Sequence, residues 1–496
     1  MHVNRGTLAE GTRRPVAVTS TRNVGGVRGW LYALRRDRGL LALLALFVLF
    51  LPLVTKRIYA SDEIQYFAYT HSLFFDQDLN FGDEYLHFYN SDKVKFADIY
   101  RDLYNKHEPA TGLPINVAPI GTGLFWLPPY ALAHAGVLVA RAAGAHVAAD
   151  GYSQPYVTAI CYASYIYGCI GLLLCYLFAR RFFGSGLAAL AVSTLWLASS
   201  VLFYTVIAPP WSHATSLLTV TFFLWLWQRT RRPEGRTVRE WALLGAAAGA
   251  MMLVREQDAL FLIVPFIEML PAAWQLLRRG LAAAPLARLI RGPLLMLAAA
   301  VVMFIPQLIA YRVITGHFGP SKVVSGKFTW TSPNFLNVLF SPEHGLIPWT
   351  PVVALGLVGL AFLWRRDHVL TVGLLAAFLL QVYVAGSFLT WQSASSFGQR
   401  RFINSTAIFV LGFAALLSWV LANGVPRWAV AALAALFVAW NAGLLMQYAL
   451  WTSQQRQALD WATVIKGQAE MPTKAAGLAW DFLTNREKFY RRTRGG

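Results

Sequence analysis

The sequence predicts an all-α polytopic membrane protein of about eleven spanning helices, with one acidic loop outside the membrane directly after the first span. Three observations predict it. Of 496 residues, 56% are hydrophobic and only 14% charged, too little polar surface for a soluble chain of this length. The apolar residues come in runs of about 20, the length that crosses a bilayer. Lys and Arg sit in short clusters between those runs, so the formal charge of +19 reads as loop charge beside a membrane and not as a nucleic-acid surface.

Residues 1–38 form a polar, Arg-rich arm. No early apolar core followed by a small-residue cleavage site is seen there, so the first span is expected to be retained as an anchor. Spans are then expected near 39–55, 153–179, 187–206, 212–229, 240–254, 258–276, 293–314, 346–364, 369–389, 402–422 and 428–450. The apolar segment 118–140 is interrupted by Pro119, Pro128 and Pro129 and reads as a helix lying in the interface. The expected organisation is a cytoplasmic arm 1–38, a transmembrane unit 39–450, and an extracytoplasmic tail 451–496.

Charge sets the orientation. Arg28, Arg35, Arg36 and Arg38 precede the first span, Arg180 and Arg181 follow the second, and Arg229, Arg231, Arg232, Arg236 and Arg239 separate the fourth and fifth. Arg278, Arg279, Arg288 and Arg291 follow the sixth span, and Arg365 and Arg366 the eighth. With 118–140 in the interface, all these clusters fall on one side, which the positive-inside rule makes cytoplasmic. Loops 56–152, 315–345 and 390–401 then lie outside, so an active site must form at the outer face.

Cys161, Cys169 and Cys175 share one apolar stretch and match no disulfide or metal spacing; they read as packing residues. The first outer loop holds ten of the 24 acidic residues, from Asp62 to Glu108. Ser61 is expected to cap a helix in which Ile64, Phe67, Ala68, His71, Phe74 and Phe75 form an apolar face. Asp62 and Glu63 occupy its first turn. Two roles are open to them: favouring the helix dipole, or general-base chemistry by a carboxylate partly desolvated where a span meets water. Asp76, Asp78 and Asn80 alternate like the start of a calcium loop, but Phe81 and His87 stand where glycine and the closing glutamate belong. A solvated turn is expected there. No cofactor or metal set is assigned, and a divalent cation has no support in the sequence.

The Asp62-Glu63 pair directly after the first span, on the outer face, resembles the GT-C superfamily of membrane glycosyltransferases, in the branch of protein O-mannosyltransferases and lipid A aminoarabinose transferases. Ala118-Pro119-Ile120-Gly121-Thr122-Gly123-Leu124-Phe125-Trp126 is similar to that branch's second juxtamembrane helix, and Ala179-Arg180-Arg181-Phe182-Phe183-Gly184 to its cytoplasmic turn. Ser341-Pro342-Glu343-His344-Gly345-Leu346, Trp391 and Ser396-Phe397-Gly398-Gln399-Arg400-Arg401-Phe402 resemble outer-loop motifs of its bacterial members. The resemblance runs from about 39 to 450. It implies a GT-C fold with about 11 transmembrane helices, an extracytoplasmic first loop with juxtamembrane helices, and a place in the cytoplasmic membrane.

It also implies a reaction: inverting transfer of one hexose or pentose from a polyprenyl-phosphate-linked donor to a lipid, polysaccharide or protein acceptor at the outer face. Asp62 is then the candidate base and Glu63 its helper. Cations for the departing phosphate must come from outer segments, where Arg255, Lys322, Lys327, His344, Arg400 and Arg401 are the candidates. Arg401 ranks first among them. Each also fits an anchoring role at lipid headgroups. A secondary transporter would instead show repeated halves and charges near the midplane, and a non-catalytic lipid-binding protein would be indifferent to Asp62.

Overall fold

The computed structural model describes residues 37–90, 104–279, 283–393, 396–449 and 458–493. The expected arm, with Arg28, Arg35 and Arg36, lies outside the described residues apart from its last two. Among the described residues the chain is helical, and its only β pairings are the isolated bridges His107–Pro114 and Phe328–Phe388.

Helix α1 (Arg38–Phe50) starts where the Asp37 carboxylate accepts the Leu40 amide at 3.1 Å, and gives way to a 3-10 turn, Leu51–Leu53, at Pro52. Next come α2 (Ser61–His71) with a π turn at Ser72–Asp76, α3 (Gly82–Tyr89), α4 (Gly121–Ala142) and α5 (Gln154–Ala179). α6 (Ser185–Leu197), α7 (Ser212–Thr230), α8 (Val238–Val254), α9 (Ile263–Arg279) and α10 (Ala283–Thr315) follow. The chain closes with α11 (Val352–Leu363), α12 (His368–Ser387), α13 (Thr406–Ala422), α14 (Arg427–Ala449), α15 (Trp461–Thr484) and α16 (Arg486–Thr493).

Among the described residues, seven helices are long and apolar enough to cross a membrane, or eight if α6 and the segment Ser200–Ile207, bent by 72°, form one broken span. That is fewer than the eleven expected. α1, α8 and α11 have 13, 17 and 12 residues. α7 has 19 but carries Ser212, His213, Thr215, Ser216, Thr219, Thr221 and Gln228, all buried. A helix enclosed by protein need not be apolar all round, since its polar groups find partners there and not in lipid.

Tyrosines fix the register of α1 against α5. Tyr176 and Tyr165 donate to Asp37 Oδ1 (2.6 Å) and the Phe47 carbonyl (2.5 Å), and Gln154 Nε2 to the Lys56 carbonyl (2.9 Å), so the two run antiparallel. At the Asp37 end, Arg180 pairs with Asp37 (3.2 Å), Arg231 with Asp367 (2.7 Å) and Arg236 with Glu268 (2.9 Å), and Arg366 holds the Phe182 carbonyl (2.8 Å). These arginine clusters, spread through the sequence, gather at one end of the bundle.

At the opposite end α2, α3 and α4 build a second core from Phe67, Tyr69, Phe81, Tyr85, Trp126 and Tyr130. α4, expected as a helix over 118–140, is continuous for 22 residues through Pro128 and Pro129, and is apolar and long enough to cross a membrane. A proline frees the carbonyl four residues before it, and Tyr167 donates to the one freed by Pro129, that of Phe125, at 2.7 Å. Trp126 bonds Ser164 (2.9 Å) and His134 lies 2.7 Å from the Tyr156 hydroxyl. α4 thus runs beside the half of α5 remote from the arginine end. The tail helix α15 crosses α14, where Gln468 donates to the Trp440 carbonyl at 3.0 Å, and Arg486 beyond it reaches the Pro52 carbonyl.

α11 and α13 meet backbone to backbone, where a Cβ on Gly359 would overlap the Gly412 carbonyl and one on Gly412 the Gly356 carbonyl. Small residues permit that approach and tighten packing. Gly412→Leu is expected to cost about 1–3 kcal/mol by overpacking, read as a lower thermal midpoint of detergent-purified protein; an unchanged midpoint contradicts the crossing.

Candidate functional site

The site lies where α2 begins. Helix α2 starts one residue earlier than the sequence implies: Ser61 is its first residue, and Ala60, which has no side-chain acceptor, stands at the cap position. Glu63 does the capping. Its Oε2 accepts the amides of Tyr59 (2.7 Å) and Ala60 (3.0 Å), and its Oε1 accepts the Trp211 indole N–H at 2.5 Å. The carboxyl is fully buried, so it anchors α2 and faces no solvent. Three N–H donors favour the charged form, but burial outweighs them and pushes the carboxyl up to about 8.

Asp62 points the other way, is about one-third exposed, and pairs with Arg400 at 2.9 Å. The Arg400 guanidinium in turn lies 4.3 Å from the centre of the Trp211 ring. Asp62, Glu63, Trp211 and Arg400 therefore close a ring of contacts: neighbours in sequence on one side, cation, indole and carboxyl on the other. Pro209-Pro210-Trp211 reaches this place because the chain bends after α6 and makes a second π turn, Phe203–Ile207. The Asn441 amide holds the loosened Leu197 and Ser199 carbonyls at 2.8 and 3.2 Å.

Arg255, just past α8, joins through Ser212. It donates to Ser212 Oγ (3.1 Å), approaches His213 Nδ1 (3.0 Å) and bonds Gln257 (3.1 Å), while the Tyr66 hydroxyl donates to the same Ser212 oxygen at 2.8 Å. Tyr66 sits amid Asp62, Arg255 and Arg400; burial holds its phenol above the usual value, only partly offset by the two arginines. Neighbouring Asp258 is not an ion-pair partner of Arg255. Asp258 is instead fully buried and bonded to Ser216 (2.6 Å) and Asn404 (2.8 Å). It ties the turn after Arg255 to the turn that begins at Arg400.

None of the other expected cations is paired with Asp62. Arg401 turns to the loop before it, donating to the carbonyls of Thr390 (3.1 Å) and Trp391 (2.9 Å) and to Ser393 (2.5 Å), with Phe388 under its guanidinium. His344 is fully buried, 3.2 Å from Ser396 Oγ and 4.8 Å from the Trp349 ring. Lys322 is exposed and Lys327 half-buried, and among the described residues neither side chain makes an ion pair or hydrogen bond. Two adjacent arginines on a 3-10 turn, Arg400–Ser405, necessarily face different ways, and no sequence signal says which one meets Asp62. Tyr66 and Ser212 carried no signal either.

An apolar cavity of about 460 Å³ opens beside the turn that follows Arg255, lined by Leu260, Ile263 and Phe266 and, across it, Trp241, Pro293 and Met296. Among the described residues, one His and carboxylate cluster has metal-binding spacing: His71, Asp76 and Glu84, at the far end of α2.

Residues 156–310 match the family model described as dolichyl-phosphate-mannose-protein mannosyltransferase. No curated protein matches the chain. Among solved structures, it is similar to ArnT from Cupriavidus metallidurans bound to undecaprenyl phosphate, with 15% identity and a TM-score of 0.52 over 95% of this chain and 75% of that one. The apo state of the same ArnT gives 14% identity and a TM-score of 0.44, over 85% and 72%. The chain is an integral membrane protein with the GT-C fold.

The Glu63 carboxyl gives a stability test. A folded-state value raised from 4.5 to about 8 means the folded chain holds a proton the unfolded one releases. Its contribution is full below about pH 4.5 and is lost as pH rises through about 8. The thermal midpoint of wild type is expected to fall more steeply than that of Glu63→Gln across this window; parallel curves contradict the assignment.

Proposed function

We propose that this GT-C-fold chain is an inverting glycosyltransferase that moves one sugar from a polyprenyl-phosphate donor to a hydroxyl acceptor at the outer face of the cytoplasmic membrane. The observation that carries the proposal is the Asp62–Arg400 pair, a part-exposed carboxylate held against an arginine at the end of the bundle opposite the arginine clusters. The positive-inside rule makes that end extracytoplasmic, where lipid-linked sugars are the accessible donors. The family match over 156–310 and the fold shared with ArnT, solved with undecaprenyl phosphate, support this reading.

Displacement at the anomeric carbon needs a base on one side and a cation on the other. The donor phosphate entering beside Arg400 and Arg255 draws the guanidinium of Arg400 from Asp62. Asp62 then takes the acceptor hydroxyl proton, the oxygen forms the new bond to C1, and the C1–O bond to phosphate breaks. The electron pair leaves on the carrier phosphate, whose charge the arginines hold. The isoprenyl chain lies in the apolar cavity below Arg255. Glu63 and Trp211 position Asp62 by fixing the first turn of α2. Arg401 shapes the 390–393 loop instead of gripping phosphate. Sugar and acceptor follow from contacts with the ligands themselves.

Purified protein incubated with polyprenyl-phosphate sugars and a lipid or glycan acceptor, followed by carrier-phosphate release, tests this. Asp62→Asn is expected to lower kcat by about 10²–10⁴-fold with little change in donor KM. Arg400→Gln should raise donor KM as well as lower kcat. Equal release by wild type and Asp62→Asn overturns the base and favours a non-catalytic lipid-binding protein.

A further inference from the structure

Helix α2 carries a second constellation at its other end, nine residues beyond Asp62 and so about 14 Å along the helix. After His71 the chain makes the π turn Ser72–Asp76, closed by Gln77 in the left-handed region (φ 58°) with its amide on the Ser72 carbonyl at 2.6 Å. That turn carries Asp76 back against His71, with Oδ2 3.3 Å from Nδ1. Glu84 on α3 brings Oε1 to 2.9 Å from the same nitrogen. The Tyr152 hydroxyl lies 3.4 Å from it as well.

The imidazole is held rigidly. Its ring lies between Tyr152 (centroids 4.1 Å) and Phe75 (5.0 Å), each inclined at 25°. Nε2 is 3.1 Å from the Asp150 carbonyl, which only accepts, so the proton of the neutral ring is on Nε2. Gly151 allows that approach: its φ is +80°, and a Cβ there would collide with the Tyr130 hydroxyl and His71 Cδ2. The lone pair of Nδ1 is left facing two carboxylate oxygens. One imidazole nitrogen and one oxygen from each carboxylate converge there, all within 4.8 Å of one another, and Glu84 is fully buried. Glu84 Oε2 is buried with no hydrogen-bond partner, a further acceptor in want of a cation.

We propose that His71 Nδ1, Asp76 and Glu84 bind a divalent transition-metal ion, with zinc as its natural chemistry, which staples the end of α2 to α3 and to the 150–152 turn. One imidazole with two carboxylates selects a borderline ion over calcium, whose sites are all oxygen. Two ligands on one tetrahedral zinc at about 2.0–2.1 Å stand roughly 3.3 Å apart, close to the 2.9 and 3.3 Å from Nδ1 to the two carboxylates here, and all three ligand atoms lie within 4.8 Å of one another. A histidine whose other nitrogen donates to a backbone carbonyl is the usual arrangement at metal sites. The ion sits away from Asp62 and Arg400, and its role is to hold the far end of the helix that presents Asp62. It holds whether or not the chain transfers sugars.

Full-length protein purified in detergent on a tag free of histidine, stripped with EDTA and dialysed against micromolar Zn²⁺, tests the site. Zinc measured by mass spectrometry after gel filtration is expected at about one per chain, with a thermal midpoint raised by the ion. Asp76→Asn and Glu84→Gln should each weaken zinc binding by at least about tenfold, and His71→Ala should abolish it. Asp76 lies at the surface, so Asp76→Asn keeps the test valid if His71→Ala does not fold. X-ray absorption at the zinc edge is expected to show one imidazole among oxygen ligands. A wild type that retains no zinc, or variants that retain as much as wild type, overturns the site and leaves a protonated His71 between its carboxylates.

Discussion

The contact on which the site depends is the indole of Trp211, which donates to buried Glu63 on one side and carries the Arg400 guanidinium on its face. It joins three distant stretches of chain: the first turn of α2, the turn entering α7 and the turn entering α13. Without it, Asp62 and Arg400 would be two surface charges in a flexible pair, an arrangement worth little. With it, the carboxylate is aimed by a buried neighbour and the cation is seated on an aromatic face. The pair of acidic residues is thus divided, Glu63 turned inward as an anchor and Asp62 outward to Arg400 as the proposed base.

Around this centre the bundle separates its charges by depth. The arginine end is closed by pairs of Arg180, Arg231 and Arg236 with carboxylates. The other end leaves Asp62 part-exposed and gathers Arg255, Arg400, Tyr66 and Ser212 about it. Between them the buried Asp258–Ser216–Asn404 bonds lock the two arginine-bearing turns together. Every buried polar group in that layer needs a partner, because neither lipid nor water supplies one. A polar network at this depth therefore fixes geometry more than it adds stability.

Much of the fold was legible in the sequence, since a bilayer demands long apolar runs, and charge bias follows loops. Those rules placed α5, α9, α10, α12, α13 and α14 and foresaw that the arginine clusters would share one end. They gave no sign that α4 runs unbroken through Pro128 and Pro129, where the carbonyl freed by Pro129 is satisfied by a tyrosine from another helix. The segments read as spans at α1, α7, α8 and α11 are helical, but each is short or lined with buried polar groups. At the site, the position of Asp62 after the first span was legible. The choice of Arg400 over Arg401 was not, since one residue of rotation on a 3-10 turn decides it. The His71–Asp76–Glu84 cluster was hidden for a like reason: a π turn and a left-handed glutamine bring its members together, and neither leaves a pattern in sequence.

The central claim is that Asp62 and Arg400 act as one unit, and a double-mutant cycle measures that most directly. Carrier-phosphate release should be compared for Asp62→Asn, Arg400→Gln and the double variant, all shown to be folded. Strong non-additivity in kcat is expected, with the double variant scarcely slower in kcat than Asp62→Asn alone and its donor KM raised as in Arg400→Gln, because residues that work together are not lost twice. Losses in kcat that simply multiply would contradict this and separate the two residues into independent roles.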